Sequence, residues 1–317
     1  MTREEEITKV YGGKPHVVIL GAGASIASTR RNPEATGKEL PSMYNITDVV
    51  GLRDIVDALP DGVYHDNFEI LYSKLYDLNP LSSEIIEINK RIYDYFSGMK
   101  LPVEPTIYDY LVLSLRAKDT IATFNWDPFL HQAWSRNQPF FTEGRSLREC
   151  DNLYQFPPKI LFLHGCVSIG YDATHDASGP SKYNAYTANG DLCYFEPIKL
   201  LYPVTHKDYN VDPYIKSQWI RLQRDLKEAK RVTVFGYSAP QTDVEAIDLL
   251  KEAWGEVDAR AYEQFELIDI RKEDDVKESW NEFIHSHHYD YHKSFFDCSL
   301  ANHLDELLKV IIIGVFL

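Results

Sequence analysis

Five apolar runs in this chain each end in small or polar residues of the kinds that hold or change a ligand. In HVVILGAGAS (16–25), Gly21 and Gly23 permit a tight turn and a close backbone approach. Ala22 lies between them, and Ser25 stands near the start of an expected helix, whose N-terminus attracts anions such as phosphate. A bare strand-to-helix turn with no ligand is the alternative. In TIATFNWDPFL (120–130), alternation puts Asn125 and Asp127 on one side at the end of a strand, with Thr123 before them as a further candidate for binding the ligand. There Asn125 offers both a donor and an acceptor to a hydroxyl or a water; a turn satisfying its own backbone explains the same residues. ILFLHGC (160–166) ends in His164, whose ordinary pKa near 6.5 suits proton transfer, although single histidines are often structural. RVTVFGYSAPQTD (231–243) supplies Gly236 and Ser238, and FELIDI (265–270) supplies Asp269, which binds a ribose hydroxyl or caps a turn.

The elements that must position these residues follow from the same pattern. The runs His16–Leu20, Thr120–Phe124, Ile160–Leu163, Arg231–Phe235 and Phe265–Ile270 lack strict alternation, as strands buried on both faces do. Amphipathic helical patterns separate several of them, including Trp219–Ala229 and Asp243–Trp254, with Asp243 as N-cap. Strand, helix, strand in succession predicts an α/β fold: a Rossmann-like parallel sheet with helices on both faces. Ligands bind such sheets at the carboxyl ends of the strands, where all five polar breaks fall. We expect one domain over 1–317, interrupted by a mainly helical insertion at about 40–117, with helices near Phe68–Asp77 and Ser83–Phe96. Residues 170–215, rich in Gly, Pro, Ser, Asn, Asp and Tyr, predict a long loop region with a hairpin near Leu192–Phe195.

Composition narrows the classes. With 44% apolar residues among 317 the chain has ample material for a core. Its net charge of −15 argues against a broad nucleic-acid surface, though not against one nucleotide held by backbone N–H groups. Cys150, Cys166, Cys193 and Cys298 form no C-x-x-C pair, so no paired-cysteine zinc site, and no zinc, is expected. The acidic start MTREEEITKV carries no signal-peptide pattern, which with these thiols predicts a cytoplasmic protein. The apolar end Val310–Leu317 is far shorter than the roughly 20 residues a membrane span needs, so no membrane is expected. Four histidines in HSHHYDYH (285–292) lack the spacing of a standard metal site.

In order, GAG-A-S, T-x-N-x-D, H-G and F-G-x-S resemble the sirtuin superfamily over about His16–Ile270. That resemblance implies an NAD-binding Rossmann-like fold, with the pyrophosphate on Gly21, Ala22, Gly23 and Ser25. It implies Asn125 and Asp127 beside the nicotinamide ribose, His164 as the base, and Gly236 and Ser238 on the adenosine side. The chain departs from protein-deacylating sirtuins, which have Gly-Ile-Pro-Asp-Phe-Arg after the glycine turn, Gln before the asparagine, and two C-x-x-C pairs. GKELPSM (37–43), TFNWD and the helical insertion look more like bacterial sirtuin-like proteins of antiphage defence, which hydrolyse NAD. The resemblance therefore implies an NAD hydrolase using Asn125, His164 and Asp127, with NAD as substrate. It also implies control by homo-oligomerisation or by an activating partner such as a ring ATPase or an Argonaute-like protein. An NAD-dependent deacylase and a silent NAD or ADP-ribose binding module are the alternatives. A dehydrogenase is disfavoured, because Ile26 replaces the third fingerprint glycine.

Overall fold

The computed structural model describes residues 14–301, except 31, 144–156, 188, 205, 206, 208, 211, 239–242, 261, 262 and 285–288. Its main sheet contains β1 (His16–Leu20), β2 (Thr120–Thr123), β3 (Lys159–Phe162), β8 (Arg231–Phe235), β9 (Gln264–Ile268) and β10 (Tyr289–His292). Every pairing in this sheet is parallel, in the order β10-β9-β8-β1-β2-β3. From β1 the chain runs first to β2 and β3 on one side, then to β8 on the other. The β1–β8 boundary is thus the switch point at which open α/β sheets form a crevice.

Alternate residues of β1 face two cores. Val18 and Leu20 pack with Phe68, Leu71, Ile88 and Ile92, while Val17 and Ile19 pack with Trp219, Leu222, Leu250 and Trp280. Such two-sided burial requires the continuous apolar runs seen in the sequence. The first face is covered by helices of the predicted insertion: α3 (Ile46–Val49), α4 (Arg53–Val56), α5 (Phe68–Leu78), α6 (Ser83–Ser97) and α7 (Ile107–Ser114). Ahead of them stand α1 (Ala22–Thr29) and α2 (Pro33–Thr36), and α8 (Phe129–Glu143) follows β2. The second face is covered by α9 (Pro213–Glu228), α10 (Val244–Trp254) and α11 (Glu273–Trp280).

Two expectations change. The region at 170–215 is largely a second sheet rather than a loop: β4 (Ile169–Asp172), β5 (Ala177–Pro180), β6 (Tyr183–Tyr186) and β7 (Leu192–Pro197), antiparallel in the order β5-β4-β7-β6. The predicted hairpin is its β6–β7 pair. Its small and polar residues disguise strands that are mostly solvated, for β5 and β6 bury almost nothing. The sixth parallel strand, β10, comes from the histidine run, of which His285, His287 and His288 lie outside the described residues. Cys150 and Val310–Leu317 also lie outside them. Among the described residues no helix is long and apolar enough to cross a membrane.

Candidate functional site

The carboxyl ends of β1, β2, β3 and β8 open into a cavity of ≈ 280 Å³. Gly21, Ala22, Ser25, Asn125, Asp127, His164, Gly236 and Ser238 all line it. The opposite wall comes from the insertion, through Leu40, Met43, Ile46, Glu69 and Phe96.

The glycine turn is shaped by β8. Gly21 N donates to Phe235 O at 3.1 Å, and Gly23 N donates to Gly236 O at 2.9 Å. A Cβ on Gly23 would stand 2.7 Å from Gly236 Cα, and one on Gly236, whose φ is +62°, 2.4 Å from Ala24 N. These glycines exist because two turns of adjacent strands pass backbone against backbone. Gly23 is therefore spent on the β8 turn and does not line the cavity, and its N–H is not directed at a ligand.

Ser25 is the hub of the hydrogen bonds on this wall. Its hydroxyl, fully buried, donates to Asp127 Oδ2 at 2.7 Å and meets Tyr108 Oη at 2.7 Å. Asn125 Nδ2 donates to Ser25 Oγ at 3.0 Å and to Gly21 O at 2.8 Å. With its amide N–H groups committed to the turn, Asn125 has its Oδ1 acceptor to offer to a hydroxyl or a water. Thr123 does not line the cavity; its Oγ1 accepts Asn125 N at 3.1 Å and so fixes the start of this loop. Asp127 also accepts Phe129 N at 3.2 Å. Burial pushes its carboxyl up to about 6 against the opposing effect of these hydrogen bonds.

His164 is buried at 7% exposure, its Nε2 2.9 Å from Tyr209 Oη. Gly165, at φ +79°, turns the chain there, and Leu201 N returns to donate to His164 O at 2.9 Å. The Phe124 ring meets the imidazole edge-on at 4.8 Å and stacks on Tyr237 at 4.1 Å. Burial, aided by the Lys207 ammonium, holds the imidazole well below its ordinary pKa, hence neutral. A neutral imidazole can accept a proton.

Lys207, Asp243 and Tyr237 form a second polar group on the cavity wall. The buried Lys207 ammonium pairs with Asp243 Oδ1, and Tyr237 Oη donates to Asp243 Oδ2 at 3.0 Å. Burial lowers the Lys207 pKa, against the opposing effect of the nearby Glu69 and Glu245 carboxylates. Asp243 thus flanks α10 as expected, but its side chain makes no cap bond and serves the cavity instead. Asp269 stays outside: it accepts Arg271 N at 2.9 Å and pairs with the Arg271 guanidinium at 2.7 Å. Tyr108, Tyr209 and Lys207 were not foreseen. Each reaches the site across 36 or more residues of sequence, and isolated tyrosines or a loop lysine give no pattern.

No known protein-family profile matches the chain, and no curated protein does. Solved structures align with it at low identity. A mutant Sir2 homologue in complex with ADP-ribose is 12% identical, covering 100% of this chain and 99% of its own, with a TM-score of 0.45. A Sir2 homologue–NAD complex is 12% identical, covering 99% and 95%, with a TM-score of 0.44. A structure described as showing the mechanism and regulation of Sir2 enzymes is 13% identical, covering 98% and 99%, at 0.41.

Proposed function

We propose that the chain binds NAD in this cavity and hydrolyses the nicotinamide–ribosyl bond, giving nicotinamide and ADP-ribose. The supporting observation is that Asn125, Asp127 and His164, from two separate strand ends, meet beside the turn formed by Gly21 and Ala22 in one cavity. Nicotinamide leaves NAD as a neutral base, so no general acid is needed. The site has to steady an oxocarbenium-like ribose and place a water, as in glycoside hydrolysis without leaving-group protonation. Asn125 Oδ1 accepts from the water or a ribose hydroxyl. Neutral His164 takes the proton, after exchanging its Tyr209 contact for the substrate. The Asp127 carboxylate, held by Ser25, supports the developing positive charge. Rate enhancement comes from holding these groups fixed rather than from one strong base.

An NAD hydrolase that is always on would harm its host, so this reading includes control by self-association or a partner protein, with antiphage defence as the setting. Product analysis tests it. Free nicotinamide with ADP-ribose supports the proposal, O-acyl-ADP-ribose from an acylated peptide supports a deacylase, and unchanged but bound NAD supports a binding module.

A further inference from the structure

The antiparallel sheet has a small core, in which Ile169 of β4 and Cys193 and Phe195 of β7 are buried. β5 and β6 have no fully buried residue, and the inward side of β7 consists of Cys193 and Phe195. Small units of this kind are commonly held by a cross-link or a metal. At the centre of this sheet three different donors converge. Asp172 ends β4, His175 follows three residues later in the turn to β5, and Cys193 projects inward from β7. One ligand atom from each lies within 4.8 Å of the other two.

Part of the cluster has an ordinary explanation. Asp172 Oδ1 accepts Thr174 N at 2.9 Å and His175 N at 3.2 Å, capping the turn, and Oδ2 accepts Tyr194 N at 3.2 Å. A capped turn requires neither the His175 ring, whose Nδ1 lies 2.9 Å from Asp172 Oδ2, nor an inward thiol beside it. We propose that Asp172, His175 and Cys193 are three ligands of a divalent transition-metal site that staples the β4–β5 turn to β7.

Thiolate, imidazole and carboxylate together select a metal of zinc's class over calcium or magnesium, which take oxygen ligands. Bond lengths of about 2.0–2.3 Å to zinc place tetrahedral ligand atoms roughly 3.3–3.8 Å apart, so atoms that lie within 4.8 Å of one another need to close by no more than about 1.5 Å on binding. Water completes the fourth position. Binding M²⁺ displaces the Cys193 thiol proton to solvent and moves the His175 proton to Nε2, while Asp172 binds as the carboxylate. The sheet begins just after His164 and returns at Leu201, so the staple would hold the segment leading to Lys207 and Tyr209. The proposal nonetheless stands apart from any NAD chemistry.

The test titrates the chelator-stripped full chain with Co²⁺ alone and reads the visible spectrum. We expect one equivalent bound, with tetrahedral d–d bands and a thiolate-to-cobalt charge-transfer band. Cys193→Ser removes that band, and His175→Asn, a change at a partly exposed ring, weakens binding by at least ~10-fold with the far-ultraviolet circular dichroism unchanged. Cys298→Ser, at a buried thiol outside the cluster, leaves both intact. Absence of saturable binding, a band that survives Cys193→Ser, or wild-type affinity in His175→Asn overturns the proposal. Should Cys193→Ser fail to fold, the His175→Asn result decides.

Discussion

The molecule contains two sheets built on opposite principles. In the parallel sheet β1, β2 and β8 are buried almost throughout, with Val17, Val18 and Leu20 at 0% exposure. In the antiparallel sheet Tyr186 is 75% and Leu192 56% exposed. The parallel sheet can therefore fix side chains at its carboxyl edge through packing on two faces, and the candidate site is built there. The antiparallel sheet packs through fewer side chains, chiefly Ile169, Cys193 and Phe195, and its turns are closed by hydrogen bonds such as those to Asp172. The buried frame and the more exposed flap of antiparallel strands meet at His164, whose backbone accepts the chain returning from the flap.

This contrast breaks first where the frame is tightest. Gly236→Ala forces a Cβ into the Gly23–Ala24 backbone at a left-handed φ. Overpacking and backbone strain together cost about 4 kcal/mol, enough to remove most or all folded protein in a denaturant titration. Next comes the charge enclosed at Asp127. With a folded pKa of about 6 against an ordinary 3.8, ionisation penalises the native state. The penalty is absent below about pH 4, grows between 4 and 6, and is full above 6, at up to ~3 kcal/mol. Asp127→Asn should therefore gain stability relative to wild type as pH rises through this window, then level off. A flat difference from pH 4 to 8 in thermal melts would show that Asp127 is not desolvated. Wild-type turnover should fall below about pH 6 as this carboxyl is protonated, while the depressed His164 pKa keeps the base neutral throughout neutrality.

Ser25→Ala removes the hub shared by Tyr108, Asn125 and Asp127. Leaving those buried partners short of a bond costs about 2 kcal/mol and most of the turnover. The smallest effect belongs to the flap's outer face: Tyr186→Ser should change stability by no more than ~0.5 kcal/mol. A larger loss would mean that this face is covered.

The same contrast governs what could be read in the sequence. Parallel strands announced themselves because burial on both faces demands unbroken apolar runs, and the residues ending four of them line the cavity, whereas Asp269 after β9 does not. β10 escaped because YDYH alternates polar and aromatic residues at the sheet's edge. The antiparallel strands escaped because solvated strands of Gly, Ser, Asn and Tyr resemble loop. The glycine turn was legible, whereas the reason for Gly23, the approach of Gly236 from 213 residues away, was not. Tyr108, Tyr209 and Lys207 depend on tertiary contacts and leave no local trace. The Asp172–His175–Cys193 cluster was hidden for the same reason, since its ligands lie on different strands and a turn.

The most direct test of the central claim is nicotinamide release from NAD by the purified full chain, measured beside Asn125→Ala and His164→Ala. The account predicts release by the wild-type chain and a loss of at least ~100-fold in each variant, with folding and NAD binding retained. Undiminished release by folded Asn125→Ala, or a wild-type chain that neither binds nor cleaves NAD, would contradict it.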